Sequence, residues 1–442
     1  MCAVPSIERA RTFEYLGMEL DAAAGTITCR YRSDDERFTE VAAFDAAAVD
    51  LGAEGIEAAA TIYAMLAGLS YYKTRAARRI DLGALAAGGP AMRELLAAAV
   101  VDGLGEFAYR NGLDLRDVEI VGGGRRAPVA VAEADRGPLV PFGGGIDSIV
   151  TVLTAVPGDA ALFVVTPRDH PFEAIERPAA QTGLPVTRCT RLLDPSLLGP
   201  RSADRLDGHV PVTAMVSALA LVAAVGQGRR AVVMSNERSA SAPNLTVAGR
   251  AVNHQWSKSY DAEQLFRAAA AECLDGGPDF YSALRDRSEL WVARELAKHP
   301  EFLAVAMSCN RAFRQDPAAR ASTWCGECDK CLFVDLVLAP FVDRAVLESM
   351  FSGHEPIADP ARVGDLEVLV GLVDNPKPFE CVGDVDECAT ALVATARRAD
   401  RADAAHLAAM AGLLTSARPL GELLAPHGPT NAPERDAARD LV

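Results

Sequence analysis

A glycine-rich segment at residues 139–153, LVPFGGGIDSIVTVL, has the residue types that bind a polyanion. Its three consecutive glycines are Gly143, Gly144 and Gly145, and Asp147 and Ser148 follow at the start of an apolar helical pattern. Glycines let the backbone approach a ligand closely, and the N–H groups and dipole at a helix start favour phosphate. Ser148 adds a hydroxyl donor, and Asp147 can orient the loop or hold Mg²⁺. The segment predicts a phosphate site; the alternative is a turn that caps an ordinary helix through Asp147.

This segment lacks the spacing of two familiar nucleotide-binding loops, GxxxxGK[ST] and GxGxxG. It resembles instead the SGGxDS loop of the PP-loop ATP pyrophosphatases, with Gly143 where that family usually has serine. The departure removes one hydroxyl donor. The resemblance implies that the chain binds ATP with Mg²⁺ and cleaves it to AMP and pyrophosphate.

Two further polar loops follow short apolar runs. The first, at 232–244, offers donors and acceptors for a nucleotide or substrate from Ser235, Asn236, Glu237, Ser239 and Ser241. The second spans 166–170. Parallel sheets bind ligands at the carboxyl ends of their strands, which is where both loops would lie. The alternative is that both are solvated loops without a ligand.

Two later segments hold the candidate acid–base residues. In AVNHQWSKSYDAEQLF, at 251–266, His254 can shuttle a proton and Lys258 can neutralise a phosphate or carboxylate. In KPFECVGDVDEC, at 377–388, the thiol of Cys381 is a base if its pKa is lowered. The other candidates in that segment are Glu380, Asp384 and Asp386. The alternatives are that the histidine and lysine are surface residues and that the cysteine is a small buried one.

Four of the ten cysteines form a candidate metal site. They are Cys309, Cys325, Cys328 and Cys331, the last three in a CxxCxxC run. Thiolates at this spacing can surround one tetrahedral Zn²⁺, and no open coordination position is indicated, so the zinc would be structural. The arrangement resembles the zinc site of the deazaguanine nitrile synthases. An iron–sulfur cluster and unpaired buried thiols are the alternatives.

Strand–helix alternation from residue 138 must position these side chains. Short apolar runs predict buried strands at 139–142, 160–166 and 231–235. The segments between and after them predict helices at 147–156, 172–182 and 211–226. Such alternation is typical of a doubly wound parallel α/β sheet. Upstream, 13–32 predicts two strands around a turn, and 54–79 and 91–111 predict helices.

We therefore predict four regions along the chain. They are an N-terminal α+β domain (1–130), a PP-loop ATP-binding domain (131–305), a helical C-terminal region with the zinc site (306–428) and a loose tail (429–442). The boundary near 130 follows from the glycines and proline that interrupt the pattern there.

The composition limits the partners of the protein. Its 442 residues are half hydrophobic and carry a formal charge of −16, which argues against nucleic acid as the main partner. The first residues contain no apolar core of signal-peptide length, and the longest apolar stretch, 210–225, is shorter than the ~20 residues that cross a bilayer. We expect a soluble, cytoplasmic protein that does not act at a membrane.

Taken together, the motifs resemble one family over nearly the whole chain. The segments that carry the resemblance are GLGEFAYRNGLDL (103–115), PFGGGIDSIV (141–150), SNERSASAPN (235–244), NHQWSKSY (253–260), WCGECDKCLF (324–333) and KPFECVGDVDEC (377–388). They are similar to the MurL-type UDP-N-acetylmuramoyl-L-alanyl-L-glutamate epimerases. The resemblance implies an ATP-dependent inversion of the terminal L-Glu of UDP-MurNAc-L-Ala-L-Glu to D-Glu, through an acyl-adenylate, for peptidoglycan synthesis.

Two other functions fit the same motifs. One is a PP-loop ligase or nitrile synthase that acts on a purine-like base, also with structural zinc. The other is a non-enzymatic zinc module that only senses a nucleotide. The sequence gives no direct account of how UDP-MurNAc is held, and a guess for that role is the group Tyr71, Tyr72, Lys73 and Arg75.

Overall fold

The computed structural model describes residues 8–198, 204–247, 249–314 and 316–433. Its strands are β1 (Thr12–Asp21), β2 (Thr26–Ser33), β3 (Glu36–Phe44), β4 (Arg79–Asp81), β5 (Glu119–Val121), β6 (Val129–Ala130), β7 (Leu139–Pro141), β8 (Ala161–Val165), β9 (Val186–Leu192), β10 (Ala231–Met234), β11 (Leu245–Val247), β12 (Arg250–Val252), β13 (Leu274–Asp275) and β14 (Asp279–Ser282). Its helices are α1 (Ile56–Ala67), α2 (Leu69–Tyr72), α3 (Pro90–Ala98), α4 (Gly105–Asn111), α5 (Ile146–Thr154), α6 (Glu173–Thr182), α7 (Val212–Gln227), α8 (Tyr260–Cys273), α9 (Glu289–Ala297), α10 (Pro300–Leu303), α11 (Asp329–Leu338), α12 (Arg344–Met350), α13 (Val363–Leu369), α14 (Val385–Thr395), α15 (Ala405–Leu413) and α16 (Leu420–Leu423).

Ten strands form one mixed sheet in the order β14-β10-β7-β8-β9-β3-β2-β1-β4-β5. The five strands from β14 to β9 are parallel, as the strand–helix alternation predicts. The sheet as a whole is not parallel, however, because β3 pairs antiparallel with β9 and thereby joins the antiparallel strands β1, β2 and β3. The N-terminal strands and the parallel strands therefore share one continuous sheet.

The three apolar runs predicted as buried strands are confirmed as β7, β8 and β10. Among the strands that the pattern missed are β3, β9 and β14. β9 alternates polar and apolar residues unevenly (VTRCTRL), and β14 has only four residues, so neither shows the continuous apolar run of a buried parallel strand. Their place is decided by pairing with neighbouring strands.

Helix α7 confirms that the longest apolar stretch is a buried helix, since most of its residues are inaccessible to solvent. It packs against α1 on one face of the sheet. The predicted helix at 91–111 is interrupted by a π-helical turn, Ala99–Gly103, before α4 begins. Among the described residues, no helix is long and apolar enough to span a membrane.

Two hydrophobic cores cover the two faces of the sheet. One contains β1 to β3, α1 and α7, and the other joins β7, β8 and α5 to the C-terminal helices. In the second core α11 packs against α9 and α14, which brings the predicted cysteine and 377–388 segments to the parallel strands. Most of the predicted tail, 434–442, lies outside the described residues.

The guess for UDP-MurNAc binding is wrong for its two tyrosines. Tyr71 is fully buried and stacks on Tyr31 with ring centroids 5.1 Å apart. Tyr72 is also fully buried, and its hydroxyl donates to the carbonyl of Ala77 at 2.9 Å. A nearly all-apolar helical pattern does not show which aromatic residues remain exposed, because every face of the helix can pack into a core.

Candidate active site

The glycine-rich segment forms the predicted strand–turn–helix between β7 and α5. Gly144 has φ +74°, and a Cβ there would collide with the carbonyl of Ala174, so this position requires glycine. The carbonyl of Gly144 accepts from Met307 N at 3.0 Å, which ties the loop to the segment before Cys309. Ser148 is buried and donates its hydroxyl to Gly145 O at 3.0 Å. The serine hydroxyl therefore stabilises the loop itself.

Three carboxylates meet beside this loop: Asp147, Glu237 and Glu289, with one oxygen of each within 4.8 Å of the others. Asp147 begins α5, Glu237 follows β10, and Glu289 begins α9 just after β14, so all three lie at the carboxyl edge of the parallel strands. Each has one buried oxygen without a hydrogen-bond partner in the described structure. No motif predicts Glu289, whose only signal in the sequence is its place after a short strand.

Burial and the repulsion of neighbouring carboxylates disfavour the charged forms of Asp147 and Glu289. Burial and the charge of Glu237 raise the pKa of Asp147 to about 7. Burial and the charge of Asp147 raise the pKa of Glu289 well above its usual range. Unpartnered carboxylate oxygens that face one another are suitable ligands for a hard divalent cation such as Mg²⁺. The donor set fits the predicted magnesium ion.

Two lysines lie between the carboxylates and the thiol of Cys381. The Lys258 amine donates to Cys381 Sγ at 3.5 Å. The amine of the buried Lys330 donates to the Cys381 carbonyl. Both lysines also act on Asp147, whose pKa they lower against the effect of burial. Lys330 was not predicted, because in the sequence CGECDKC it lies between two candidate metal ligands, Cys328 and Cys331.

The environment of Cys381 favours a thiolate. Burial raises the pKa of the thiol, but the charge of Lys258, a hydrogen bond from His254 and the charge of Lys330 outweigh it. Together they lower the pKa of Cys381 to about 6. A thiol with this pKa is largely ionised at neutral pH, as a base at carbon requires.

His254 links this thiol to α4. Its Nδ1 contacts the Glu106 carboxylate, and its ring lies 4.2 Å from that of His209. Burial lowers the pKa of His254, but hydrogen bonds to Cys381 and Glu106 outweigh it and raise the pKa to about 9. Burial and the neighbouring His254 lower the pKa of His209 to about 4. Glu106 and His209 were not predicted as site residues, since no motif spacing marks either one.

Asn244 and Gln255 hold the 251–266 and 377–388 segments together. Asn244 Oδ1 accepts from His254 N at 2.8 Å, and its Nδ2 donates to Pro378 O at 2.6 Å. Gln255 Nε2 donates to Val382 O at 3.2 Å. These bonds bring His254 to Cys381 although the two residues are far apart in sequence.

Two predicted residues have structural contacts, and a third keeps an unpartnered hydroxyl. Asp384 caps α14 by accepting from Glu387 N at 2.8 Å, so its carboxylate is engaged in a helix cap rather than aimed at a ligand. Asn236 N donates to Ser282 Oγ at 2.7 Å, which fixes the turn after β10. Ser235, in the same turn, has a buried hydroxyl without a partner in the described residues and can still donate to a ligand.

The four cysteines predicted as zinc ligands lie together, with their sulfurs within 4.8 Å of one another. Cys331 Sγ is 3.5 Å from Cys328 Sγ and 3.6 Å from Cys325 Sγ. Cys328 and Cys331 come from the start of α11, while Cys309 precedes a separate 3₁₀ turn. Four sulfurs this close to one another fit a tetrahedral structural Zn²⁺.

Comparison with known proteins identifies the family of the chain. Residues 5–283 match the model of the MurL N-terminal domain, and residues 305–420 match that of the MurL C-terminal domain. The chain belongs to the MurL family.

A relative from Salinispora tropica, named UDP-N-acetyl-alpha-D-muramoyl-L-alanyl-L-glutamate epimerase, is 36% identical over 98% of this chain and 96% of its own length. Relatives of the same name from Micromonospora and Xanthomonas oryzae are each 36% identical, over 97% and 88% of this chain and 97% and 86% of their own lengths. No solved structure matches.

The candidate site lies where the two MurL domains meet. The MurL N-terminal domain supplies the glycine loop, Glu106, His254 and Lys258, and the MurL C-terminal domain supplies Lys330 and Cys381. Neither domain alone contains both the glycine-rich loop and the thiol.

Proposed function

We propose that the chain is an ATP-dependent epimerase that inverts the terminal L-Glu of UDP-MurNAc-L-Ala-L-Glu to D-Glu for peptidoglycan synthesis, with release of AMP and pyrophosphate. The names of its relatives support the substrate and the inversion. The observation that carries the proposal is the adjacency of two unlike groups. A glycine loop with three carboxylates lies next to a thiol held among cations, and Lys258 faces both.

The reaction needs both groups because the Cα–H of a glutamate is a very weak acid. Its removal would place a second negative charge beside the carboxylate. Transfer of AMP to that carboxylate gives a mixed anhydride whose acyl group carries no charge, so the electron pair left at Cα can delocalise into an enolate. Activation must therefore precede proton transfer.

The glycine loop and its carboxylates would perform the activation. We assign the loop N–H groups to the ATP phosphates, and Asp147, Glu237 and Glu289 to Mg²⁺. When bound, the ion would neutralise phosphate charge during the displacement of pyrophosphate. Lys258 lies close enough to the carboxylates to neutralise charge as the substrate carboxylate attacks the α-phosphate.

The thiolate of Cys381 would perform the proton transfer. The Cα–H bond breaks, an S–H bond forms, and the electron pair moves into the enolate of the acyl-adenylate. A second donor, either water or another side chain, gives a proton to the opposite face of Cα, and the electron pair of the enolate forms the new Cα–H bond. Water then cleaves the anhydride to release AMP and the D-glutamyl product, and the Cys381 thiol returns its proton to solvent. A positioned acid–base group of this kind contributes roughly 10²–10⁴-fold to the rate.

The test is incubation of the protein with ATP, Mg²⁺ and UDP-MurNAc-L-Ala-L-Glu, followed by assays for AMP and for D-Glu. Asp147→Ala should abolish both products and leave the far-UV CD spectrum unchanged. Asp279→Ala, an exposed carboxylate at the amino end of β14, is the matched control and should form both products normally. AMP formation that needs a purine-like base would support a ligase or nitrile synthase, and ATP binding without any turnover would support a nucleotide sensor.

A further inference from the structure

Glu106 is far from Cys381 in sequence but is connected to it through a single side chain. The Glu106 carboxylate contacts His254 Nδ1, and His254 in turn lies close enough to Cys381 for each to shift the pKa of the other. On its other side Glu106 Oε1 accepts from Arg110 Nε at 2.6 Å. The carboxylate is buried, whereas the arginine is half exposed. A continuous chain of contacts thus runs from α4 in the MurL N-terminal domain to the thiol in the C-terminal domain.

We propose that Glu106 is a positioning residue for proton transfer: its carboxylate fixes the ring of His254 with Nδ1 towards Glu106 and Nε2 towards the Cys381 sulfur. The inference rests on the proposed function, since it concerns the same reacting thiol. A carboxylate bonded to one ring nitrogen sets which nitrogen carries a proton and how the ring is oriented. Because Arg110 holds Glu106 and Asn244 holds the His254 backbone, the ring is constrained from both ends.

The charged groups around this chain of contacts determine its charge state. Those near the thiol are Lys258, Lys330, His254 and Asp147, and those near the histidine are Glu106, Cys381, His209, Glu380 and Lys258. His209 is neutral above its low pKa and adds no charge at neutral pH. Glu106 therefore favours an imidazolium at His254, and the imidazolium in turn favours a thiolate at Cys381. Loss of the Glu106 charge should lower the pKa of the histidine and raise that of the thiol.

The experiment measures the reactivity of the thiol in the free full-length protein. Glu106→Gln keeps the size of the side chain but removes its charge. The pH dependence of Cys381 alkylation by iodoacetamide, followed by peptide mass spectrometry, should shift upward by about one pH unit, which is a tenfold change in ionisation. In D₂O with substrate and ATP, deuterium incorporation at Cα should fall at least about tenfold, while AMP release stays within about twofold. Glu119→Gln, an exposed carboxylate on β5, is the control and should change neither.

A double variant separates positioning from general destabilisation. His254→Asn should shift the alkylation profile in the same direction, and adding Glu106→Gln to it should have no further effect, because the two residues act in series. Additive effects, or an unchanged profile in Glu106→Gln, would overturn the inference. So would a metal ion that the wild type binds and Glu106→Gln loses, since Glu106, His209 and His254 also have ligand atoms within 4.8 Å of one another.

Two further outcomes, a variant that does not fold and a wild type without deuterium exchange, can be told apart from a failure of the inference. If CD shows that Glu106→Gln does not fold, Glu106→Asp replaces it. This variant keeps the charge but moves it away from His254, so its alkylation profile should shift upward by less than about one pH unit. An absence of any shift would count against the inference. If the wild type itself places no deuterium at Cα, the proposed epimerisation fails, and the alkylation profile still decides whether Glu106 acts on the thiol.

Discussion

The MurL C-terminal domain holds cysteines in two environments that differ in what faces the sulfur. In the cluster of Cys309, Cys325, Cys328 and Cys331, sulfur faces sulfur within 4.8 Å. At Cys381, the sulfur faces the amine of Lys258 and the ring of His254. Thiolates that face one another need a cation between them, whereas a single thiolate among cations is already stabilised and stays available for reaction. The neighbours, and not the residue type, separate a metal ligand from a base.

The two environments are physically joined through Lys330. This lysine lies between Cys328 and Cys331 in the first turn of α11, and its amine reaches the carbonyl of Cys381. A metal ion that fixes the first turn of α11 would therefore also fix one of the cations beside the reactive thiol. The comparison can be tested by disturbing each environment separately.

The largest effect should follow the loss of a cluster cysteine. Purified protein should contain about one Zn per chain, and Cys328→Ser should contain none and should lose helical CD signal, because a structural zinc site contributes directly to folding. Cys381→Ser is the matched control and should keep both the metal and the fold. Wild-type protein that contains no metal, or iron with a visible absorption band, would refute the zinc prediction.

The next largest effect should follow the loss of the reactive thiol. Cys381→Ala should still form AMP, because the glycine loop is untouched, but should lose inversion and Cα deuterium exchange by roughly 10²–10⁴-fold. The readouts are AMP release, D-Glu content and mass spectrometry of the product formed in D₂O. If the variant inverts at the normal rate while deuterium still enters Cα, the base is another residue, and His254 is the first to test.

A smaller and graded effect should appear with pH. A lowered pKa means that the thiolate of Cys381 predominates above about pH 6 and is lost as pH falls through that value. Its alkylation rate should therefore fall about tenfold per pH unit below about pH 6, since only the thiolate reacts. Cys189, whose pKa burial raises, is an internal comparison and should stay unmodified in the folded protein. A midpoint near that of an ordinary cysteine would show that the surrounding cations do not act on the Cys381 thiol.

The smallest effect should come from Asp384, which the sequence suggested as an acid–base residue. Because its carboxylate caps α14, Asp384→Ala should lower stability by ~0.5–2 kcal/mol and leave Cα exchange intact. Asp386→Ala, an exposed residue in the same helical turn, should cost less. Thermal melting and the deuterium assay distinguish the two roles. A loss of exchange without a loss of stability would restore Asp384 as a catalytic candidate.

Local patterns were enough to predict the parts of this protein that are continuous in sequence. Three glycines before an apolar helix, and three cysteines within seven residues, each specify a local backbone arrangement. The buried strands β7, β8 and β10 were predictable for the same reason, since each is a short apolar run. The fourth cysteine, Cys309, was included because four thiolates complete one tetrahedral metal site.

Only the tertiary structure decided which distant residues share the site. Glu106, Glu289 and Lys330 have no distinguishing motif, and each reaches the centre because a helix start or a packed helix places it there. The same folding directed Asp384 into a helix cap and buried Tyr71 in the aromatic core. The physical reason is that the charge of a side chain is known from its type, whereas its burial and its partners depend on which strands pair and which helices pack.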